Sequence, residues 1–294
     1  MILRLGPIPQ LANRGPGSAW EIFRATQDKP SNLHACVSQP SHADLAGQIA
    51  RALLPSTFGH LPDEVIETIG RHDSGWAAAD LRALELPNQA APDPTGSDAS
   101  ASGPAPLVSF LAFPVSGSVD AWRSGVRAAE ARSVLAGILT SRHFCLLAPP
   151  GDIQHQRFQE EETRRRRLAE LACAVAPSDL DRYEATLGFC DLLSLLLCSG
   201  SRDLALLPLA HPANPSSAGA AHVKLDLPGT PPAQQPPHES GTVESPAAQS
   251  PAAHFQAVRF NIPVIRPGTN ISTGSWRRSE AGELTHETLH WKFT

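Results

Sequence analysis

The chemistry in this chain starts from one acid. The segment Leu187 to Cys198 reads LGFCDLLSLLLC and is apolar on every side of a helix, so it is expected to be buried. Asp191 is its only charge, and Ser194 is the one interruption of the leucine run that follows. Leu187, Asp191 and Leu195 fall at i, i+4 and i+8, so no amphipathic face carries the carboxylate to water. A lone buried carboxylate is costly unless it is paired, hydrogen-bonded or bound to a metal. Asp191 therefore needs a partner: a His, an Arg, a backbone amide or a cation. Three further places offer one. His72-Asp73 ends the helical pattern Val65, Ile66, Ile69, with both side chains on its core side. With 12 His in the chain the dipeptide alone means little, and its placement carries the weight. His42 lies in the first turn of a helix, in line with Leu45, Ile49 and Leu53. His143 follows Leu139 by four and precedes Leu146 by three, on or beside an inward strip. Each of these alone reads equally well as a cap or a packed core histidine.

Together they give the order H…HD…D on apolar helical strips. That order resembles the HD-domain metal phosphohydrolases, in which such side chains converge inside a helical bundle on a divalent metal. The resemblance implies His42, His72, Asp73 and Asp191 as metal ligands and His143 as an accessory catalytic His that stabilises or protonates the leaving oxygen. It implies Asp73 as the group that bridges metals or orients the attacking water. Imidazole plus carboxylate suits Mn, Fe, Co or Zn. Asp80, seven residues after Asp73, reads either as an acid that orients a His ligand or as a loop cap. A second resemblance is closer. QPSHADLAGQ (Gln39 to Gln48), HDSGW and DLLSLLLC look like the bacterial domain-of-unknown-function family 3891 (DUF3891), over most of residues 1–205. It implies a shared architecture and site without naming a reaction.

The elements that must position these residues are mainly helical. Pro40 or Ser41 starts the helix of His42, and Pro62 with Asp63 and Glu64 starts the next. Ser118 to Leu147 reads as one or two helices with Val134, Leu135, Ile138 and Leu139 inward. Gln154 to Cys173 is helical with a charged outer face, where Glu160/Arg164, Glu161/Arg165 and Glu162/Arg166 are at i,i+4. Most of that face reads as solvated. Ser178 caps a last helix that Gly200 stops. Val258 to Val264 and Leu289 to Phe293 alternate as strands, and Met1 to Leu5 could add another. The expected fold is an HD-like, mainly α bundle with a small C-terminal antiparallel β element and two long disordered loops. The division is 1–210 for the bundle (87–106 inserted), 211–253 for a Pro/Ala-rich loop with a strand hinted by Val223, Leu225 and Leu227, and 254–294 for the strands.

Composition limits the function classes. The chain has 28 Pro and 21 Gly in 294 residues, too many for a coiled coil and without the period of collagen. A net charge of −5 gives no general pull toward nucleic acid or an anionic membrane. No apolar run is long enough to cross a bilayer. Five Cys form no CxxC, and an odd count without an apolar leader fits a reduced, cytoplasmic protein. The expectation is a metal-dependent hydrolase of a small phosphorylated molecule or nucleotide. A non-haem iron oxygenase with the same ligands and a non-catalytic helical binding module with a buried His/Asp network are the alternatives.

Overall fold

In a computed structural model the described residues are 1–4, 17–18, 24, 35–85, 109–148, 151–200, 205–209, 219–226, 255–260, 264–278 and 283–294. The expected loop at 87–106, and 211–253 apart from its one strand, lie outside them.

The first long helix, α1 (Gln39–Ala52), carries Pro40 in its first turn, and the Ser38 hydroxyl accepts from Ser41 N at 3.2 Å. A single turn, α2 (Pro55–Phe58), leads to α3 (Asp63–Ile69), whose first turn holds Asp63 and Glu64 against the positive helix end. The helix ends at Ile69, earlier than the sequence pattern implies. His72 and Asp73 lie in the turn beyond it, ahead of a 3₁₀ turn at Ser74–Trp76 and α4 (Ala77–Glu85). A 3₁₀ turn at Phe110–Ala112 precedes α5 (Val115–Glu130). Ser133 and Asp152 cap α6 (Val134–Leu147) and α7 (Ile153–Ala172). The last helix, α8 (Pro177–Ser199), starts on Pro177 with Ala176, not Ser178, at its cap, and stops on Gly200 in the left-handed region. Val134, expected inward, is exposed at the first turn of α6.

The expected layout, a mainly helical chain with C-terminal strands, is what forms. The β element is broader than C-terminal alternation implies. Its strands are β1 (Ile2–Arg4), β2 (Gly17–Ser18), β3 (Ala35–Val37), β4 (Ala205–Leu209), β5 (Gly219–Asp226), β6 (Phe255–Phe260), β7 (Asn270–Arg278) and β8 (Leu284–Phe293). They form one sheet in the order β1-β3-β7-β8-β6-β5-β4-β2. The β6/β8 and β2/β4 pairs are parallel and the others antiparallel. β7 and β8 pair from Asn270 with Lys292 to Arg278 with Leu284. β5 forms where Val223 and Leu225 hinted a strand, and Leu227 lies outside the described residues. Short β3 and polar β7 lack an alternating apolar signature, so pattern reading passes over them.

Two apolar clusters hold the helices. The larger joins Leu45 and Ile49 of α1, Val65 and Ile69 of α3, Ile138 and Leu139 of α6 and most of α8 to Trp291 and Phe293 of β8. The smaller is aromatic: Trp76, Trp122, Phe144 and Phe158, with Phe110 and Phe113 beside it. The sheet is keyed to α1 by Gln48, whose amide donates to Ser272 O (2.9 Å) and accepts from Ser272 N (3.1 Å). Among the described residues no helix is long and apolar enough to cross a membrane.

Candidate metal centre

Three segments bring the polar side chains together. A Cβ on Gly47 would lie 2.7 Å from Gly70 Cα, so α1 and the end of α3 touch backbone to backbone. A Cβ on Gly75 would run into Ala121 O and Gly125 N of α5. These close approaches hold the turn from Gly70 to Trp76 between α1 and α5. They aim His72 and Asp73 at His42, while α8 supplies Asp191 from the other side.

The result is a closed ring of four donors. His42 Nε2 is 3.0 Å from Asp73 Oδ2 and 3.3 Å from Asp191 Oδ1. His72 Nε2 is 3.5 Å from Asp73 Oδ2 and 3.4 Å from Asp191 Oδ1. His143 Nε2 stands 3.5 Å behind, against Asp191 Oδ2. All five residues are buried. The His42 and His72 rings meet edge to face at 5.3 Å, and those of His72 and His143 at 5.1 Å.

The outer nitrogens fix ring orientation. His72 Nδ1–H donates to Ile69 O at 2.8 Å, which leaves Nε2 turned inward. Ser194 Oγ–H donates to Asp191 O at 2.8 Å, so toward His42 it can only accept. His42 Nδ1–H donates to it at 2.6 Å and presents Nε2 to the carboxylates. Sequence reasoning did not assign Ser194 a role, although it is the one polar interruption of the leucine run, three residues after Asp191.

Burial and ion pairing compete here. Burial pulls His72 down, but Asp73 and Asp191 outweigh it and raise His72 to about 9. Burial pushes Asp191 up, and His72, His143 and His42 overcome it and hold it at about 2. For His143 burial wins, and its pKa falls to about 4. His143 is not among the residues that line the adjoining cavity.

The donors fit a metal. Bonds of about 2.0–2.2 Å in tetrahedral or octahedral geometry put neighbouring ligand atoms about 3.0–3.5 Å apart, and the four edges of the ring span that interval. Three of the four are too long for good hydrogen bonds. His72 Nε2 and His143 Nε2 are buried without a hydrogen-bond partner. His42, His72 and Asp191 place ligand atoms within 4.8 Å of one another and could hold a metal ion; Asp73 Oδ2 adjoins both imidazoles beside that group. Outer-nitrogen anchoring of the kind Ile69 O and Ser194 supply is usual for metal-ligating His.

Asp80 does not join this site. Its carboxylate accepts from Gln39 N and from the Met1 amine at 2.9 Å, so it anchors the start of α1 and orients no imidazole. The Glu/Arg face of α7 also differs from its expected i,i+4 pairing. Glu161 meets Arg123, and Glu162 takes Arg165 and Ser141. Trp76 and Trp122 line the adjoining cavity.

A cavity of about 620 Å³ opens on the ring, with His42, Asp73 and Asp191 in its lining. Trp76, Phe110, Phe113 and Trp122 make much of the rest of the wall. No curated protein and no solved structure matches the chain. The family model described as "Protein of unknown function (DUF3891)" matches residues 22–244, which covers the helices that build this centre and the strands β3, β4 and β5. The chain belongs to the DUF3891 family.

Proposed function

We propose that the protein is a metal-dependent hydrolase of HD type acting on a small phosphorylated molecule. The observation that carries this is the ring of His42, His72, Asp73 and Asp191 at the end of a cavity large enough for a small substrate. Two imidazoles and two carboxylates suit Mn, Fe, Co or Zn. A divalent metal held there supplies Lewis acidity, which lowers the pKa of water and stabilises charge on a phosphoryl oxygen.

The chain's own residues do the remaining work. Asp191, ionised at neutral pH, and His72, locked by Ile69 O, keep the donor set in register. Asp73 lies on the cavity wall and is the carboxylate placed to accept a proton from an attacking water. His143 Nε2, 3.5 Å from Asp191 Oδ2, adjoins that carboxylate as the accessory His. The buried Trp76 and Trp122 exclude bulk water from the reacting end.

The test is metal content of the purified full chain by mass spectrometry, followed by release of nitrophenol from mono- and bis(4-nitrophenyl) phosphate with Mn, Fe, Co, Zn and Mg. About one ion per chain, with metal-dependent turnover abolished in Asp191→Asn, is expected. Protein with no metal and no metal-dependent thermal shift would leave a binding module with a buried polar network. Oxygen-dependent turnover with iron would make it an oxygenase.

A further inference from the structure

The cavity beyond the metal ring is selective in composition. Its walls are aromatic and aliphatic: Trp76, Phe110, Phe113, Trp122, Leu147 and Leu195. Arg24 is the one cation among its described lining residues. Two of its polar side chains are buried with an atom left over. Gln39 is 1% exposed and its Oε1 has no hydrogen-bond partner. His155 is 5% exposed and its Nδ1 has none, while its ring lies 5.3 Å from that of Trp122. Buried polar atoms are rarely left unmatched, and both residues line the cavity, so a turn of the Gln39 amide or the His155 ring, whose Nδ1 stands 3.9 Å from Asp152 Oδ1, would bring a polar atom to a ligand there.

We propose that the cavity takes a phosphoester whose organic part is a single flat ring with a hydrogen-bonding edge. This rests on the hydrolase reading and specifies its substrate. The phosphoryl end lies at His42, Asp73 and Asp191. The ring lies against Trp76, Phe110, Phe113 and Trp122, where an aromatic face gains more than a flexible chain does. The polar edge meets Gln39 Oε1 and His155 Nδ1. Arg24, the one cation among the described lining residues, can pair with one phosphoryl group.

Non-hydrolysable probes test this on the metal-loaded full chain by isothermal titration. Phenylphosphonate should bind at least about tenfold tighter than propylphosphonate, which has the charge without the ring. The 3- or 4-hydroxyphenyl analogue should bind tighter again. Gln39→Leu and His155→Phe should erase that hydroxyl increment. Equal affinity for phenyl- and propylphosphonate overturns the proposal even if a variant folds poorly. So does a hydroxyl increment that survives both substitutions. A separate arm uses 4-hydroxybenzamide, which has no phosphoryl group, on metal-free protein. If it raises the melting temperature while no metal and no hydrolysis are found, the ring site stands and the hydrolase reading fails. If hydrolysis is found and neither ring probe is favoured, the reverse holds.

Discussion

Two buried ionic clusters sit one helix apart in this molecule, and they are built on opposite terms. Between α6 and α7, Glu162 Oε2 accepts from Ser141 Oγ at 2.5 Å, Arg165 Nε at 3.0 Å and Arg165 Nη2 at 2.8 Å. These three contacts are at hydrogen-bond length, and Arg165 goes on to Glu130 at 3.0 Å and to Gly137 O at 3.5 Å. That cluster is closed and has nothing left to give. In the centre formed by α1, the turn after α3, α6 and α8, three of the four ring distances are 3.3–3.5 Å, and two imidazole nitrogens are unmatched. A structural ion pair shortens until its donors are used up. A ligand site holds its donors apart around a point that something else must fill.

Removing one carboxylate from each cluster breaks the comparison most directly. Asp191→Ala should lower metal affinity more than about 100-fold, since loss of even an outer partner costs 10–100-fold. It should also abolish the metal-induced rise in melting temperature. Glu162→Ala should leave metal binding unchanged and cost about 1–2 kcal/mol of stability, because Arg165 keeps Glu130 and the buried Ser141 hydroxyl keeps Arg166. Metal titration and denaturant unfolding of both variants decide the matter. Equal metal loss in the two would mean that the ring is not special.

Titration sharpens the same contrast. The folded pKa of His72 is raised from 6.5 to about 9, so its contribution to metal-free stability is full below pH 6.5 and disappears as pH rises through about 9. That contribution is on the order of 3 kcal/mol. Asp191 is lowered from 3.8 to about 2, so its share is present above pH 3.8 and disappears as pH falls through 2. A metal takes the place of the His72 Nε2 proton. Apparent metal affinity should therefore rise about tenfold per pH unit between 7 and 9. Over the same interval the gap between loaded and metal-free melting temperatures should widen. A gap constant from pH 6.5 to 9 would show that His72 is not displaced from its ion pairs by metal.

How much of this was legible depends on what each residue's environment is made of. Asp191 was readable because α8 is apolar on all sides, a local fact of the sequence. His42 and His72-Asp73 were readable from helical strips, even though α3 stops at Ile69 and the pair hangs in the turn beyond it. The helix stops on its glycine cap, Gly70, which lies against Gly47, and the apolar period alone runs past it. Asp80 failed for a different reason: its spacing to Asp73 was local, but its partners, Gln39 N and the Met1 amine, come from other segments. The Glu/Arg run on α7 satisfied the i,i+4 rule and still paired across helices, because α5 and α6 lie near enough to compete. Gln39 and His155 carried no signal at all, since a cavity is a property of what surrounds it.

The smallest expected effect tests the finest part of the comparison, whether the ring's outer bonds serve orientation as well as stability. Ser194 accepts from His42 Nδ1–H while donating to Asp191 O, so one hydroxyl couples a donor from α1 to the backbone of α8. Ser194→Ala keeps the helix and removes both bonds. It should cost about 1 kcal/mol of metal-free stability, the worth of a buried hydrogen bond. If the hydroxyl only fills space, metal affinity should then be unchanged. If it fixes which nitrogen of His42 faces the carboxylates, metal affinity should fall about tenfold, because the free imidazole must be reoriented before Nε2 can bind. Ser194→Thr, which retains the hydroxyl, should recover most of the affinity even where its extra methyl lowers stability. Affinity that tracks stability across the three side chains, and not the presence of the hydroxyl, would reduce Ser194 to packing.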